Sequence, residues 1–307
     1  MRRLWIFFIL FFAGGCFQKR EIQLPEILPK PLVVSLFNDD TTFIIKLSLL
    51  SPINDTLNQP VDNASCKIIS NGQTINLNYI GQGFYVSKQK PQPEVNYLLK
   101  IFVPGFDTLV ASSYIPQKVN LLKVTQQDFA IPDNTTIFED DLHLPFSRLS
   151  FMFKDPEDEK NYYEIQIYLK FYDNIFNDVR LYSLDPWITA EDILDYEPRI
   201  LVFSDSLFNG DTVTVNVLYK PNSIMYDGYE YTYGSYLILY RFRTISRQMY
   251  LYKKSLIRHL YNQQTDYIEA FGDPVQLYSN IINGYGIFAG YTQVEDTIRV
   301  EPQYFEP

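Results

Sequence analysis

Cysteine, histidine and tryptophan are scarce in this chain, with two of each in 307 residues. A structural zinc site draws on several Cys and His ligands, and here His143 and His259 stand far apart with no second ligand beside either. Glycine-rich phosphate loops, Gly-x-Ser-x-Gly elbows and Cys-x-x-Cys pairs do not occur, which removes the common signatures of nucleotide, serine-hydrolase and redox chemistry. No catalytic residue, metal ligand or cofactor is therefore assigned. Basic residues are also short: 26 Lys and Arg against 36 Asp and Glu give a formal charge of -10. Nucleic acid needs concentrated positive charge to neutralise phosphates, so it is not an expected partner. Nor does any apolar run reach the roughly twenty residues of a spanning helix.

The beginning of the chain is informative. Arg2 and Arg3 precede an apolar run from Leu4 to Phe12, then Ala13-Gly14-Gly15-Cys16. This is the layout of an exported precursor cleaved before a lipidated cysteine, which predicts a signal peptide over 1–15 and a mature chain starting at Cys16. Acyl chains contribute about 0.8 kcal/mol per buried methylene, enough in combination to hold a protein on a bilayer without a spanning helix. Phe17 follows the cysteine where an inner-membrane retention signal carries Asp, which points to the outer membrane, with the cell surface favoured over the periplasmic face. With Cys16 acylated, Cys66 has no disulfide partner, and its strand-like surroundings read as those of a small buried hydrophobe. Residues 16–30, with Pro25 and Pro29 among mixed charges, read as a tether.

Twenty-five Tyr and twenty-three Phe, with many Ile, Val and Thr, bias the rest toward sheets. Phe43, Ile45, Leu47 and Leu49 alternate with Lys46 and Ser48, and Tyr97, Leu99, Ile101 and Val103 alternate around Lys100; this is the period of half-buried strands. Between them, Asn71-Gly72 divides two strand patterns and predicts a hairpin. Strands spaced about ten residues apart predict an immunoglobulin-like β-sandwich over 31–117. A larger antiparallel β-rich unit is expected over 118–307. There Tyr163, Ile165, Ile167, Leu169 and Phe171 alternate with Glu164, Gln166 and Lys170, and Val213, Val215 and Val217 with Thr212, Thr214 and Asn216. Ile245, Met249, Tyr252, Leu256 and Leu260 form one apolar stripe, predicting a helix over 245–263 with Lys253 on the surface. A shorter helix is expected after Thr189, whose hydroxyl caps it with Asp192 in the capping-box position.

Two acidic clusters, Asp155 to Glu159 and Glu139 to Asp141, read as solvated turns; calcium binding is the alternative, although the EF-hand spacing and its glycine are missing. The candidate partner contacts are aromatic. Tyr226, Tyr229, Tyr231 and Tyr233 crowd a hairpin-like segment, and Trp187 follows Pro186 on a loop; Tyr and Trp offer a rigid apolar face with a polar tip. The alternative for the tyrosines is cross-strand pairing, and for Trp187 a plug in the core.

Phe153-Lys154-Asp155-Pro156, Asn161-Tyr162-Tyr163, Phe203-Ser204-Asp205, Phe208-Asn209-Gly210 and above all Pro274 to Tyr291, with its Asn280, Asn283-Gly284, Gly286 and Gly290, form a set of short motifs. Together they resemble outer-membrane lipoproteins of Bacteroidetes type grouped as domain of unknown function 4249. The resemblance implies a lipid anchor, an N-terminal immunoglobulin-like domain and a larger β-rich domain. It also implies a TonB-dependent receptor as partner, and it carries over no catalytic residue.

The reading is of a mostly β, non-enzymatic, lipid-anchored binding protein, an accessory subunit of a TonB-dependent receptor. A structural or assembly component of the envelope and a carbohydrate-active enzyme are the alternatives. If Cys16 carries the anchor, Cys16→Ala releases the protein from membranes; unchanged membrane fractionation refutes it.

Overall fold

The computed structural model describes residues 29–50, 59–128, 130, 146–171, 175–189, 199–221, 225–226, 231–264, 275–301 and 303–305. The first eight strands are β1 (Pro31–Phe37), β2 (Ile44–Leu49), β3 (Gln59–Pro60), β4 (Ser65–Ser70), β5 (Gln73–Gly81), β6 (Phe84–Val86), β7 (Asn96–Phe102) and β8 (Leu109–Tyr114). They fold as the expected immunoglobulin-like sandwich. One layer runs β1-β2-β6-β5 and the other β5-β4-β7-β8, the long strand β5 belonging to both. Alternation did what the period demands: Phe43, Ile45 and Leu47 meet Tyr97, Leu99 and Ile101 in one core. Asn71 and Gly72 both take positive φ, at 49° and 75°, as a two-residue hairpin turn requires.

The second part contains β9 (Leu121–Gln127), β10 (Ser147–Lys154), β11 (Tyr162–Lys170), β12 (Phe176–Asp178), β13 (Leu181–Tyr182), α1 (Pro186–Thr189), β14 (Ile200–Ser204) and β15 (Thr212–Tyr219). It closes with β16 (Met225–Tyr226), β17 (Tyr231–Tyr233), β18 (Tyr236–Ile245), α2 (Arg247–Gln264), β19 (Tyr285–Val300) and β20 (Gln303–Phe305). A sheet β13-β15-β10-β9 faces the β12-β11-β18-β19 sheet, and Phe151, Phe153, Val215, Tyr163, Ile165 and Phe242 fill the space between them. The short helix expected after Thr189 falls in 190–198, outside the described residues.

Helix α2 starts at Ser246, whose hydroxyl accepts from the Met249 N–H at 3.4 Å as an N-cap. Its orientation corrects the expected stripe. Met249 and Ile257 are buried while Leu260 is exposed, so the inward row is Met249, Lys253 and Ile257, turned from the row counted on apolar residues alone. The reason lies beneath the helix: the β11 face expected to meet solvent carries Glu164, which is fully buried. Its carboxylate accepts from Arg243 at 2.7 Å and lies 3.3 Å from Lys253 Nζ. A buried charge demands such partners, so Lys253 turns inward to an acid on the strand below.

Strand β19 joins the two parts. Residues Tyr285 to Gly290 pair in parallel with Leu32 to Phe37 of β1, and Tyr291 to Val300 pair antiparallel with β18. Before it, Ile282 bridges to Val110 on β8, so 281–290 closes both layers of the first sandwich and places Ile281 and Phe288 in its core. Asn280 acts as a substitute backbone group, accepting from the Phe288 N–H at 2.9 Å and donating to the Ser112 and Phe288 carbonyls at 3.1 and 2.8 Å. Gly286 has φ 113°, and a Cβ there would stand 1.8 Å from the Val33 carbonyl oxygen.

Gly286→Ala therefore meets both forbidden backbone geometry and a backbone clash, and is expected to destabilise by about 3 kcal/mol or more. Gly72→Ala, with positive φ but open space around it, should cost only about 1 kcal/mol. Denaturant unfolding of both variants checks the contrast, and equal losses would show that close approach to β1 is not what Gly286 serves.

Candidate functional site

Four short motifs, separate in sequence, converge at one edge of the second core. Asp155 and Asp205 are both buried. The Tyr163 hydroxyl and the Gly210 N–H, the latter at 2.8 Å, donate to Asp155, while the Asn161 N–H donates to Asp205 at 2.6 Å. The Asn161 side chain donates in turn to the Pro156 and Glu159 carbonyls at 3.1 and 2.9 Å. Gly210, with φ 78°, packs against Glu157. The turn that begins at Asp155 is thus not wholly solvated, because its first carboxylate is the hub of a hydrogen-bond lock. Burial raises the Asp155 pKa, and the bonds from Tyr163 and Gly210 oppose that rise. Burial also raises the Tyr163 hydroxyl, with Asp155 adding to the effect. These side chains spend their polar groups on one another, which is a structural role.

A cleft of about 600 Å³ opens where the two parts meet, lined by Glu94, Asn96, Tyr114, Gln117, Asp158 and Glu159 among others. Glu94 sits at φ 60°, held there by a 2.8 Å bond from its N–H to the Ile115 carbonyl. Burial raises the Glu159 pKa, and the Glu94 and Asp205 carboxylates raise it further; burial takes the Tyr114 hydroxyl up to about 12. Among the described residues no group of three or more His, Cys, Asp or Glu is placed to hold a metal ion.

Of the residues singled out by sequence, Cys16, Tyr229 and the acidic run Glu139 to Asp141 lie outside the described set. Tyr226 and Tyr231 pair across the β16–β17 hairpin, and β17 pairs onward with β20 near the end of the chain, Tyr233 opposite Gln303. Trp187, on the single turn α1, is half-buried, its ring edge-on to Phe208 at 6.1 Å, and packs on the second core. Cys66 is buried, and burial pushes its thiol up to about 12. Sequence reading missed the Glu164–Arg243–Lys253 cluster. Its signal was the helix itself, for a helix that packs on a sheet must cover one of its faces.

A family profile described as a domain of unknown function, DUF4249, matches residues 20–297. The chain belongs to this family. The DUF4249 match runs across both parts of the fold and includes the Asp155–Asp205 lock and most of the closing strand β19. No curated protein matches the chain. A crystal structure from Bacteroides uniformis ATCC 8492, of a protein proposed to bind carbohydrate, pairs with 82% of this DUF4249 chain and 96% of its own at 11% identity. Its TM-score is 0.20, too low to bear on what this chain binds. No described helix is long and apolar enough to cross a membrane.

Tyr163→Phe leaves Asp155 buried with one donor fewer and is expected to cost about 1–3 kcal/mol at neutral pH. The lost bond favours the ionised carboxyl, so the variant's Asp155 pKa rises further and the deficit should shrink as pH falls through the carboxylate range. Denaturant melts at several pH values check the sign; a deficit that grows with acid would show that the proton sits elsewhere.

Proposed function

We propose that the protein is a non-catalytic lipoprotein, anchored to the outer membrane through Cys16, that works by docking on a TonB-dependent receptor in the same membrane. The observation that carries the docking is an apolar strip on the outer face of the first sandwich. Val34, Leu36 and Ile44 are between 38 and 43% exposed on β1 and β2, alternating with buried Val33, Ser35, Phe37 and Ile45. Beside them Lys46 lies 5.5 Å over the Phe84 ring. The strip is the continuation of a covered face: Val34 and Leu36 stand opposite Ile287 and Ala289 of β19, which pack with Met249 and Ile257 of helix α2. Where the helix stops, the same sheet face is open. A contiguous apolar face of this kind favours a protein partner.

Membrane proximity supports an envelope partner. Pro31 opens β1, and the fifteen residue steps from Cys16 span at most about 50 Å. Val34 follows three residues later, so an anchored chain holds the strip in the layer where a receptor's own membrane-proximal surface lies, and tethering raises the effective concentration of the pair. The choice of a TonB-dependent receptor rests on what resemblance to the family implies. The absence of a nucleophile–base arrangement in the sequence supports a non-catalytic role.

The test is quantitative co-purification of the receptor from outer membranes in mild detergent. Val34→Asp with Ile44→Asp, at exposed positions, should leave the melting temperature nearly unchanged and weaken recovery about tenfold or more. Undiminished recovery overturns the strip as the docking surface. Turnover of an envelope glycan by the purified protein, abolished by Glu159→Gln, would replace this reading with a catalytic one centred on the junction cleft.

A further inference from the structure

The first sandwich has two dissimilar ends. At one end the register brings together the start of β1, the ends of β2, β5 and β7, the starts of β4, β6 and β8, and the turn before β19. Pro31 stands opposite Leu49, Gly81 opposite Phe84, Ser65 opposite Phe102 and Ile101 opposite Leu109. Ile282 stands opposite Val110 and Leu32 opposite Tyr285. The Pro31 carbonyl and the Leu109 side chain crowd the position of Gly284, which ties the two layers together there. At the other end lie Phe37, the Asn71-Gly72 turn, the loop 88–94, Tyr114 and Gly290. Strand β18 and the start of helix α2 meet the first sandwich at that far end, around Gly290.

Large apolar side chains are exposed at the first end. Ile80 is 67% exposed, Ile282 62% and Phe102 55%, with Tyr285 partly exposed beside them. At the far end, the loops 38–42, 71–72 and 88–94 carry no exposed large hydrophobic residue. Lys30 lies 5.2 Å over the Tyr285 ring, and a groove of about 890 Å³ runs between Pro29, Pro31, Phe106 and Tyr285. Isoleucine and phenylalanine tips with a lysine folded on a tyrosine make an amphipathic set suited to a bilayer interface, where a long cationic side chain and an aromatic ring each keep a polar end in the headgroups.

We propose that this end of the first sandwich rests on the lipid bilayer, with Phe102, Ile282 and Ile80 in the headgroup–acyl boundary. Chain length argues for lipid as the occupant. The described chain begins at Pro29 on this same end, and thirteen residue steps separate it from Cys16, so the anchor holds the surface within about 45 Å of the membrane. Once one end of a molecule is held, even a modest apolar contact on that end becomes effectively intramolecular. The inference rests on the anchor reading and adds to it a second, non-covalent contact and therefore an orientation.

The test uses the mature lipoprotein in phosphatidylethanolamine–phosphatidylglycerol vesicles, with Phe102→Cys, Ile282→Cys and, on the far end, Asn71→Cys each labelled with an environment-sensitive fluorophore. Native Cys66 is buried with its thiol pushed up to about 12, so it stays unlabelled in the folded protein. Quenching by nitroxide lipids should place the labels at 102 and 282 about 5 to 10 Å into the interface, while the label at 71 is quenched only by aqueous iodide. Protein that floats with vesicles while all three labels respond equally to iodide keeps the anchor and overturns the contact. Labels at 102 and 282 shielded from both quenchers would mean that a second copy covers this end, which also overturns it. A mature chain that fails to float overturns the anchor and the contact with it.

Discussion

The parallel pairing of β1 with the first half of β19 is the constraint on which the rest of the molecule depends. Here the last long strand returns to the first, at a loop-closure cost that grows only slowly with the intervening length. The strand must also serve two neighbours in succession, since β1 ends at Phe37 and β18 takes over from Tyr291. At the handover the Gly290 N–H donates to the Ser113 hydroxyl at 3.3 Å, and its carbonyl accepts from the Ser246 N–H at 3.0 Å. A Cβ at Gly290 would lie 2.3 Å from the Tyr114 carbonyl oxygen. One glycine thus lets β8, β19 and the start of helix α2 meet, and the position of the second part relative to the first follows from that meeting.

Polar burial is the second organising element, and it has two forms. Around Asp155 and Asp205, backbone N–H groups and a tyrosine hydroxyl supply the bonds, so the charge is met by dipoles that the turns themselves fix in place. Under helix α2 the charge of Glu164 is met by Arg243 and Lys253, and Arg243 is further held by Gln293 at 2.7 Å and by the Tyr291 face at 4.6 Å. A buried ion cluster contributes little net stability against an apolar alternative of the same shape, yet losing one partner is costly. Its effect here is positional: three elements, β11, β18 and α2, have one arrangement in which the carboxylate is neutralised.

Much of this was legible in the residues. Strand periodicity located Phe43 to Leu49, Tyr97 to Val103 and Tyr163 to Leu169, and the turn at Asn71-Gly72 followed from the backbone freedom that its conformation needs. The helix near 245 to 263 was visible because a stripe at 3.6-residue spacing is a local property. What escaped was non-local. Alternation at Glu164 and Gln166 shows that the strand has two faces but not that a helix eighty residues later covers the polar one. The glycines of the closing motif announced a close backbone approach without naming β1 as the backbone approached. Asp155, one acid in an acidic run by sequence, becomes a buried hub only when Gly210 arrives from the turn between β14 and β15.

The two apolar surfaces of the first sandwich make different physical demands, and the demands are compatible. A surface at the end of the strands faces along them, whereas the Val34–Leu36–Ile44 strip faces across them. If lipid occupies the end, the strands stand up from the bilayer and the strip looks sideways, in the plane where neighbouring membrane proteins lie. The sheet that continues through β18 from the far end at Gly290 is then carried outward from the membrane, and the junction cleft with Glu94 and Glu159 faces the aqueous side, where acidic groups are solvated at least cost. Reversing the molecule would press Asp39, Asp40, Lys88 and Lys90 against hydrocarbon and leave Ile80, Phe102 and Ile282 in water. On that proposal the apolar and charged ends of one small sandwich select a single orientation, and a short tether at the apolar end would need no further device to maintain it.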